Sequence, residues 1–272
     1  MILIFCVDPR QGAEKNLFGY AEIMHYKQFF PKTKIVQRVG DVGTHGKPDL
    51  TKLLCTSIQK SDVAIFPSEW AYEYMSQEMH VADKSRWHII KNAPMSCFYK
   101  HRKKVQEIQK INEINFVTHH WSTNSLKGFD FYQLLDKHFQ KKFSYIGRMP
   151  HDMKFYNSQI ISPLNEVELS NELPKYDVYV SASKLEAGAN HVLEAIACGL
   201  PVIYHKDGGS IIEYCRDFGF QFDGTISSFN DALYNLFIHQ KNINNNISNY
   251  KRSVFDLANE YTVIIENLYE QT

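Results

Sequence analysis

Glu186 and Glu194 carry the most chemical promise in this 272-residue chain because of what lies between them. The intervening stretch, AGANHVL, places Gly188 just before a helix predicted to begin at Asn190. Glu186 then sits on the loop, and Glu194 falls in the second helical turn. Glycine lets a ligand approach the backbone closely. The N–H groups of Ala189, Asn190 and His191 face the helix N-terminus, where an anion such as a diphosphate is favoured. Two carboxylates flanking such a site suit hydroxyl recognition, one on a ribose and one on a second sugar. The same two acids would also suit a bare helix dipole, so their spacing alone leaves both readings open.

The elements that must position these acids alternate strand and helix. Apolar runs at 2–7, 34–39, 63–66 and 87–90 read as strands. Between them, 16–30, 50–60 and 69–79 read as helices, the last with Ser68 as its N-cap. The alternation restarts with strands at 114–118, 143–146, 159–161, 177–181, 201–204 and 218–222 and helices at 127–138, 166–173, 190–198 and 229–239. This pattern implies parallel sheets wrapped by helices. A boundary near residue 110 gives a first domain over 1–110 and a second over 111–252. The Asn-rich 242–249 reads as a linker, and 253–272 as an amphipathic helix. The basic stretch Lys100–Lys104 reads as a solvated connector or as a contact with an anionic membrane face.

Composition narrows the function classes. Lys plus Arg and Asp plus Glu both number 30, which gives no electrostatic footprint for nucleic acid. The 5 cysteines are scattered without a CxxC, so neither a disulfide framework nor a zinc knuckle is expected, and a reducing cytoplasm fits. MILIFCVDP reads as a buried strand rather than a leader peptide. No apolar run approaches a membrane span. The chain has no G-x-G-x-x-G, no P-loop and no G-x-S-x-G.

The block from Glu186 continues as Glu194-Ala195, Ala197, Gly199, Pro201-Val202 and Gly208-Gly209. It resembles the donor-site signature of retaining glycosyltransferases of the GT-B fold, sequence family four. Lys127-Gly128, after the strand INFVT, resembles that family's phosphate-binding pair. SDVAIFPSEW and HIIKNAP resemble the end of its first domain. Two departures stand out. Ala187-Gly188-Ala189 differs in glycine placement, and Ser122 stands where an arginine often precedes the lysine. The first domain is also short for the family.

The resemblance implies a GT-B-like α/β protein, two Rossmann-like parallel-sheet domains facing a cleft, with the final helix crossing back to the first. It implies transfer of a sugar from a nucleotide-diphosphate sugar to a hydroxyl acceptor, with retention and without a metal or other cofactor. Lys127, with Arg148 and the Gly188–His191 backbone, would hold the diphosphate. Glu186 would orient the transferred sugar, Glu194 would grip the ribose, and Ser162, Pro163 and Leu164 would lie beside the base. From the first domain His45 would approach the sugar, although an exposed loop histidine is the simpler reading. Arg10, Gln11, Gly12, Arg38, His120, Ser122 and Asn124 would line the cleft, His120 partly substituting for the missing arginine. His119-His120 as a metal pair is the poorer reading, since adjacent residues rarely converge on one ion. A non-catalytic nucleotide-sugar-binding subunit and a GT-B epimerase are the rival classes.

Overall fold

A computed structural model describes residues 3–10, 19–80, 82–104 and 107–270. The chain divides into two compact units, residues 1–92 with 255–272 and residues 93–254. The division falls earlier than residue 110. The short helix after Asn92 and the basic stretch beyond it pack within the second unit, and they bring that segment with them.

The first unit runs β1 (Leu3–Cys6), α1 (Tyr20–Phe29), β2 (Lys34–Arg38), α2 (Pro48–Lys60), β3 (Val63–Phe66), α3 (Glu69–Met79) and β4 (Trp87–Ile89). All four strands are parallel, in the order β1-β2-β3-β4. Ser68 caps α3 as its residue type suggests, accepting the Ala71 N–H at 2.9 Å.

The second unit begins with α4 (Ser96–Lys100). It continues through β5 (Phe116–His120), α5 (Phe129–Phe139), β6 (Phe143–Gly147), β7 (Gln159–Ile161), α6 (Glu166–Glu172) and β8 (Val178–Ser181). Then follow α7 (Asn190–Ala197), β9 (Val202–His205), α8 (Ser210–Cys215), β10 (Gly219–Phe222) and α9 (Ile226–Asn249). Its six strands are parallel, ordered β10-β9-β8-β5-β6-β7. Its inner strands β5, β8 and β9 are buried at every position, as a parallel sheet covered on both faces requires. The winding reverses between β5 and β8. A doubly wound sheet presents its ligand crevice there, outside the carboxyl ends of those strands.

The last helix, α10 (Val254–Glu270), belongs to the first unit. Its Ile264 and Leu268 are buried with Val36, Val63, Ile65 and Ile90. No described helix is long and apolar enough to cross a membrane.

The Asn-rich stretch corrects an expectation. It is not a linker but the last turns of α9, which reaches Asn249. Ile243 and Ile247 extend the buried stripe of Leu233 and Leu236, and that packing outweighs the weak helix propensity of asparagine. The basic stretch also proves to be tied inward. Arg102 donates to the carbonyls of Ala197 and Tyr250 at 2.9 and 2.7 Å. Lys103 pairs with Asp177 at 2.8 Å.

Asp136, buried on α5, fixes the approach to β7. Its carboxylate accepts the N–H groups of Tyr156, Asn157 and Ser158 at 3.0, 2.9 and 2.7 Å. Burial alone would raise its pKa, but these bonds outweigh that and hold it below the ordinary value. Asp136→Ala is therefore expected to cost about 2–4 kcal/mol at pH 7, read as a lowered urea midpoint. The depressed pKa sets the sign. The stabilisation is complete above about pH 4 and fades as pH falls through the lowered value. The gap between wild type and variant should narrow at pH 3.

Candidate functional site

Two loops leave the sheet at its reversal point. After β5, Trp121 leads to a short turn. Asn124 caps it by accepting the Leu126 N–H at 2.9 Å, and Ser122 accepts the Asn124 N–H at 3.2 Å. These two polar residues therefore help build the loop that carries Lys127. After β8, the segment from Ala182 to Ala189 leads into α7. The two loops are joined by a backbone bond from Lys184 N–H to the Leu126 carbonyl, 2.8 Å.

The β8–α7 loop is bolted on its other side as well. Leu185 adopts φ 53°, and its N–H donates to Asp207. Glu186 donates to Gly208 and accepts from the Ser210 N–H at 2.8 Å, forming a parallel bridge with Gly209. A Cβ on Gly209 would lie 2.5 Å from the Glu186 carbonyl oxygen. Only glycine permits this approach, so the glycine pair downstream sets the position of the acid upstream.

On this frame, each of the two acids meets a partner from the β5 side. Lys127 Nζ donates to Glu186 Oε1 at 2.5 Å, both side chains largely buried. His119 Nε2 lies 2.9 Å from Glu194 Oε2. Residues 59 and 75 positions apart thus converge in two polar pairs beside the N-terminus of one helix.

One expectation, the free Ala189 N–H, needs correction, and two histidines find partners. His120 lines a small pocket beside His119 and Trp121. It is 4% exposed, and its Nε2 lies 2.8 Å from the Tyr132 hydroxyl. At the end of a strand wrapped on both sides, it packs against α5. The Ala189 N–H is already accepted by Ser210 Oγ at 3.1 Å, because Ser210 opens α8 directly against the start of α7. The His191 ring is tied back to β8, Nε2 lying 2.9 Å from Ser181 Oγ.

Arg148 is exposed, with its guanidinium over the Trp121 ring at 5.7 Å. Pro163 and Leu164 line a small pocket with His119, His120, Trp121, Ile146, Gly147 and Leu169. Ser162 adjoins that pocket in sequence and is not among its lining residues.

In the first unit, Arg10 is paired with Asp8, the guanidinium 2.5 Å from the carboxylate, which holds that carboxyl below its usual value. Arg38 donates to Asn92 at 3.2 Å. His45 lies in the turn before α2, near Asp41. That carboxyl is raised by burial but lowered overall by Lys47 at 2.8 Å and the Gly43 N–H. Gln11 and Gly12 lie outside the described residues.

Sequence reasoning weighed His119 only as half of a metal pair and did not single out Tyr179 or Trp121. The signal was present in THHW at the carboxyl end of the first strand of the second sheet, where alternate residues face opposite sides.

The two-unit architecture of parallel sheets is the GT-B fold. Residues 156–254 match the family model described as glycosyl transferases group 1, a stretch that holds Glu186 and Glu194 but not Lys127. No curated sequence matches the chain. Among solved structures, the pneumococcal O-GlcNAc transferase GtfA in complex with UDP and GlcNAc is similar at TM-score 0.71 and 12% identity, covering 98% of this chain and 57% of that one. HepE of Anabaena in complex with UDP gives 0.71 and 14%, covering 98% and 79%. A glycosyltransferase from Rickettsia africae gives 0.72 and 12%, covering 100% and 78%.

Proposed function

We propose that the protein is a retaining glycosyltransferase that moves a sugar from a nucleotide-diphosphate sugar to a hydroxyl acceptor. The observation that carries this reading is the convergence of Lys127 with Glu186 and of Glu194 with His119 at the reversal point of a doubly wound sheet. The group 1 match over 156–254 and the UDP-bound structural relatives support it.

In this reading the diphosphate lies at the loop of Lys127 and Gly188. Glu186 accepts hydroxyl hydrogen bonds from the transferred sugar, Glu194 accepts from the ribose, and the base enters the pocket of Trp121, Pro163 and Leu164. The bond from the anomeric carbon to the diphosphate oxygen breaks, and a bond to the acceptor oxygen forms on the same face. The acceptor's proton passes to the leaving phosphate. Lys127 offsets the charge that develops there, an effect worth several kcal/mol at a pre-organised site. Groups at the carboxyl ends of the first unit's strands, Arg10 and Arg38 among them, recognise the acceptor.

A panel of radiolabelled nucleotide sugars tests the proposal. One of them should bind and slowly release free sugar when no acceptor is present. That release should survive a chelator and be lost in Glu186→Gln. If no nucleotide sugar binds, the reading fails.

A further inference from the structure

The pairing of Glu194 with a histidine from the neighbouring strand goes beyond the two-acid pattern, and its own surroundings are informative. His119 is 4% exposed at the end of β5. Its ring meets a polar atom at each nitrogen. Nε2 faces Glu194 Oε2 at 2.9 Å, and Nδ1 faces the Tyr179 hydroxyl at 3.2 Å. The same hydroxyl accepts the His119 backbone N–H at 3.2 Å. The alternative acceptor for its proton, the His119 carbonyl, is farther away at 3.4 Å.

These contacts fix a proton sequence. Burial pushes the Tyr179 hydroxyl well above its ordinary pKa, so it stays protonated. A protonated hydroxyl that receives a backbone N–H can turn its own hydrogen to Nδ1. With Nδ1 accepting, the imidazole presents an N–H at Nε2, where it points at Glu194. That donation occupies Oε2. Among the described residues Glu194 Oε1 accepts no hydrogen bond, and the side chain is 20% exposed. His119 also lines the small pocket with Trp121, Pro163 and Leu164. One oxygen of Glu194 is thus held from behind while the other is left for a ligand beside that pocket.

We infer that His119 is a positioning residue which, oriented by Tyr179, holds Glu194 so that its second oxygen selects a ribose over a sugar lacking the 2′ and 3′ hydroxyls. This rests on the nucleotide-binding reading above and adds to it a residue and a selectivity. His119 does not touch the reacting atoms. It acts on recognition of the nucleoside, through a carboxylate whose side chain would otherwise sample other rotamers.

The experiment is calorimetric titration of the full chain with UDP, ADP and GDP, followed by the 2′,3′-dideoxy form of whichever binds tightest. The wild type should prefer the ribonucleotide by roughly tenfold, as expected for one hydrogen bond to a charged group. His119→Phe keeps the ring's bulk without the donor and should reduce the preference to less than about twofold, with little change for the dideoxy form. His119→Gln, with an amide N–H in place of Nε2–H, should keep most of the preference. In a Glu194→Gln background, His119→Phe should cost nothing further.

Equal weakening of both nucleotides by His119→Phe would overturn the inference, as would an undiminished effect in the Glu194→Gln background. If His119→Phe loses its native circular dichroism, Tyr179→Phe replaces it and must move the preference in the same direction. If the wild type binds no nucleoside diphosphate, the proposed function itself falls. Binding that is tight but indifferent to the hydroxyls sinks only the role given to Glu194 and His119.

Discussion

Lys127→Ala is expected to lower turnover by about 10²–10³-fold, the usual cost of removing one donor from a site where charge develops. The structure adds a second consequence that must be separated from the first. Lys127 and Glu186 are 14% and 12% exposed and pair with each other. Removing the lysine leaves a largely buried carboxylate without its cation, and this should cost a further 1–3 kcal/mol or so of stability. A lowered melting temperature would therefore accompany the lost activity and could be mistaken for its cause. The double change Lys127→Met with Glu186→Gln separates the two. It leaves no stranded charge, so the melting temperature should recover toward wild type; because Glu186→Gln is itself expected to abolish turnover, the double variant reports stability alone. Turnover is read in Lys127→Ala well below its melting temperature, and activity there equal to wild type would mean that Lys127 has no role in the transfer.

The second large effect concerns a residue without a side chain. Gly128 has φ 80° and ψ 34°, and its N–H closes the turn onto Ser125 at 3.0 Å. A Cβ there would lie 2.3 Å from the Ala182 carbonyl oxygen and 2.5 Å from the Ala182 Cβ. The obstacle is the end of β8 itself, so no flexible side chain can swing away. Gly128→Ala should combine left-handed strain with displacement of the loop from the strand, a loss of about 2–4 kcal/mol. Lys127 immediately precedes it and would move with the loop. Turnover in this variant should fall nearly as far as in Lys127→Ala, although the lysine is still present. Thermal melting and steady-state kinetics on the same preparation check both halves of this expectation.

The strands were legible because buried parallel strands write themselves as short apolar runs. The run VAIF coincides with β3, which is buried at every position. Helix ends marked by a cap were legible too, as Ser68 shows. α9 was read over 229–239, but its last turns were not, because asparagines on its exposed side hid the spacing of Ile243 and Ile247. Of the site, Glu186, Glu194 and Lys127 were readable as types at a spacing. Their partners were not, because which side chain reaches which is set by strand order. The reversal of winding puts β5 beside β8, and no local pattern states that adjacency. The partner of His120 was hidden for the same reason. One position along a strand decides between His119, which meets Glu194, and His120, which meets Tyr132. The division between the units was hidden as well, since the inward bonds of Arg102 and Lys103 are invisible in a run of basic residues.

Lys127 and Glu186 neutralise each other's charge. In the proposed reaction an arriving diphosphate would not meet a bare cation but would exchange partners with a carboxylate, and on leaving it would hand the lysine back. The attraction that holds the leaving group during transfer would then be opposed, after transfer, by a competitor already in place. Such an arrangement trades some grip on the nucleotide for ease of product escape, which concerns the rate at which the protein resets rather than the chemistry it performs.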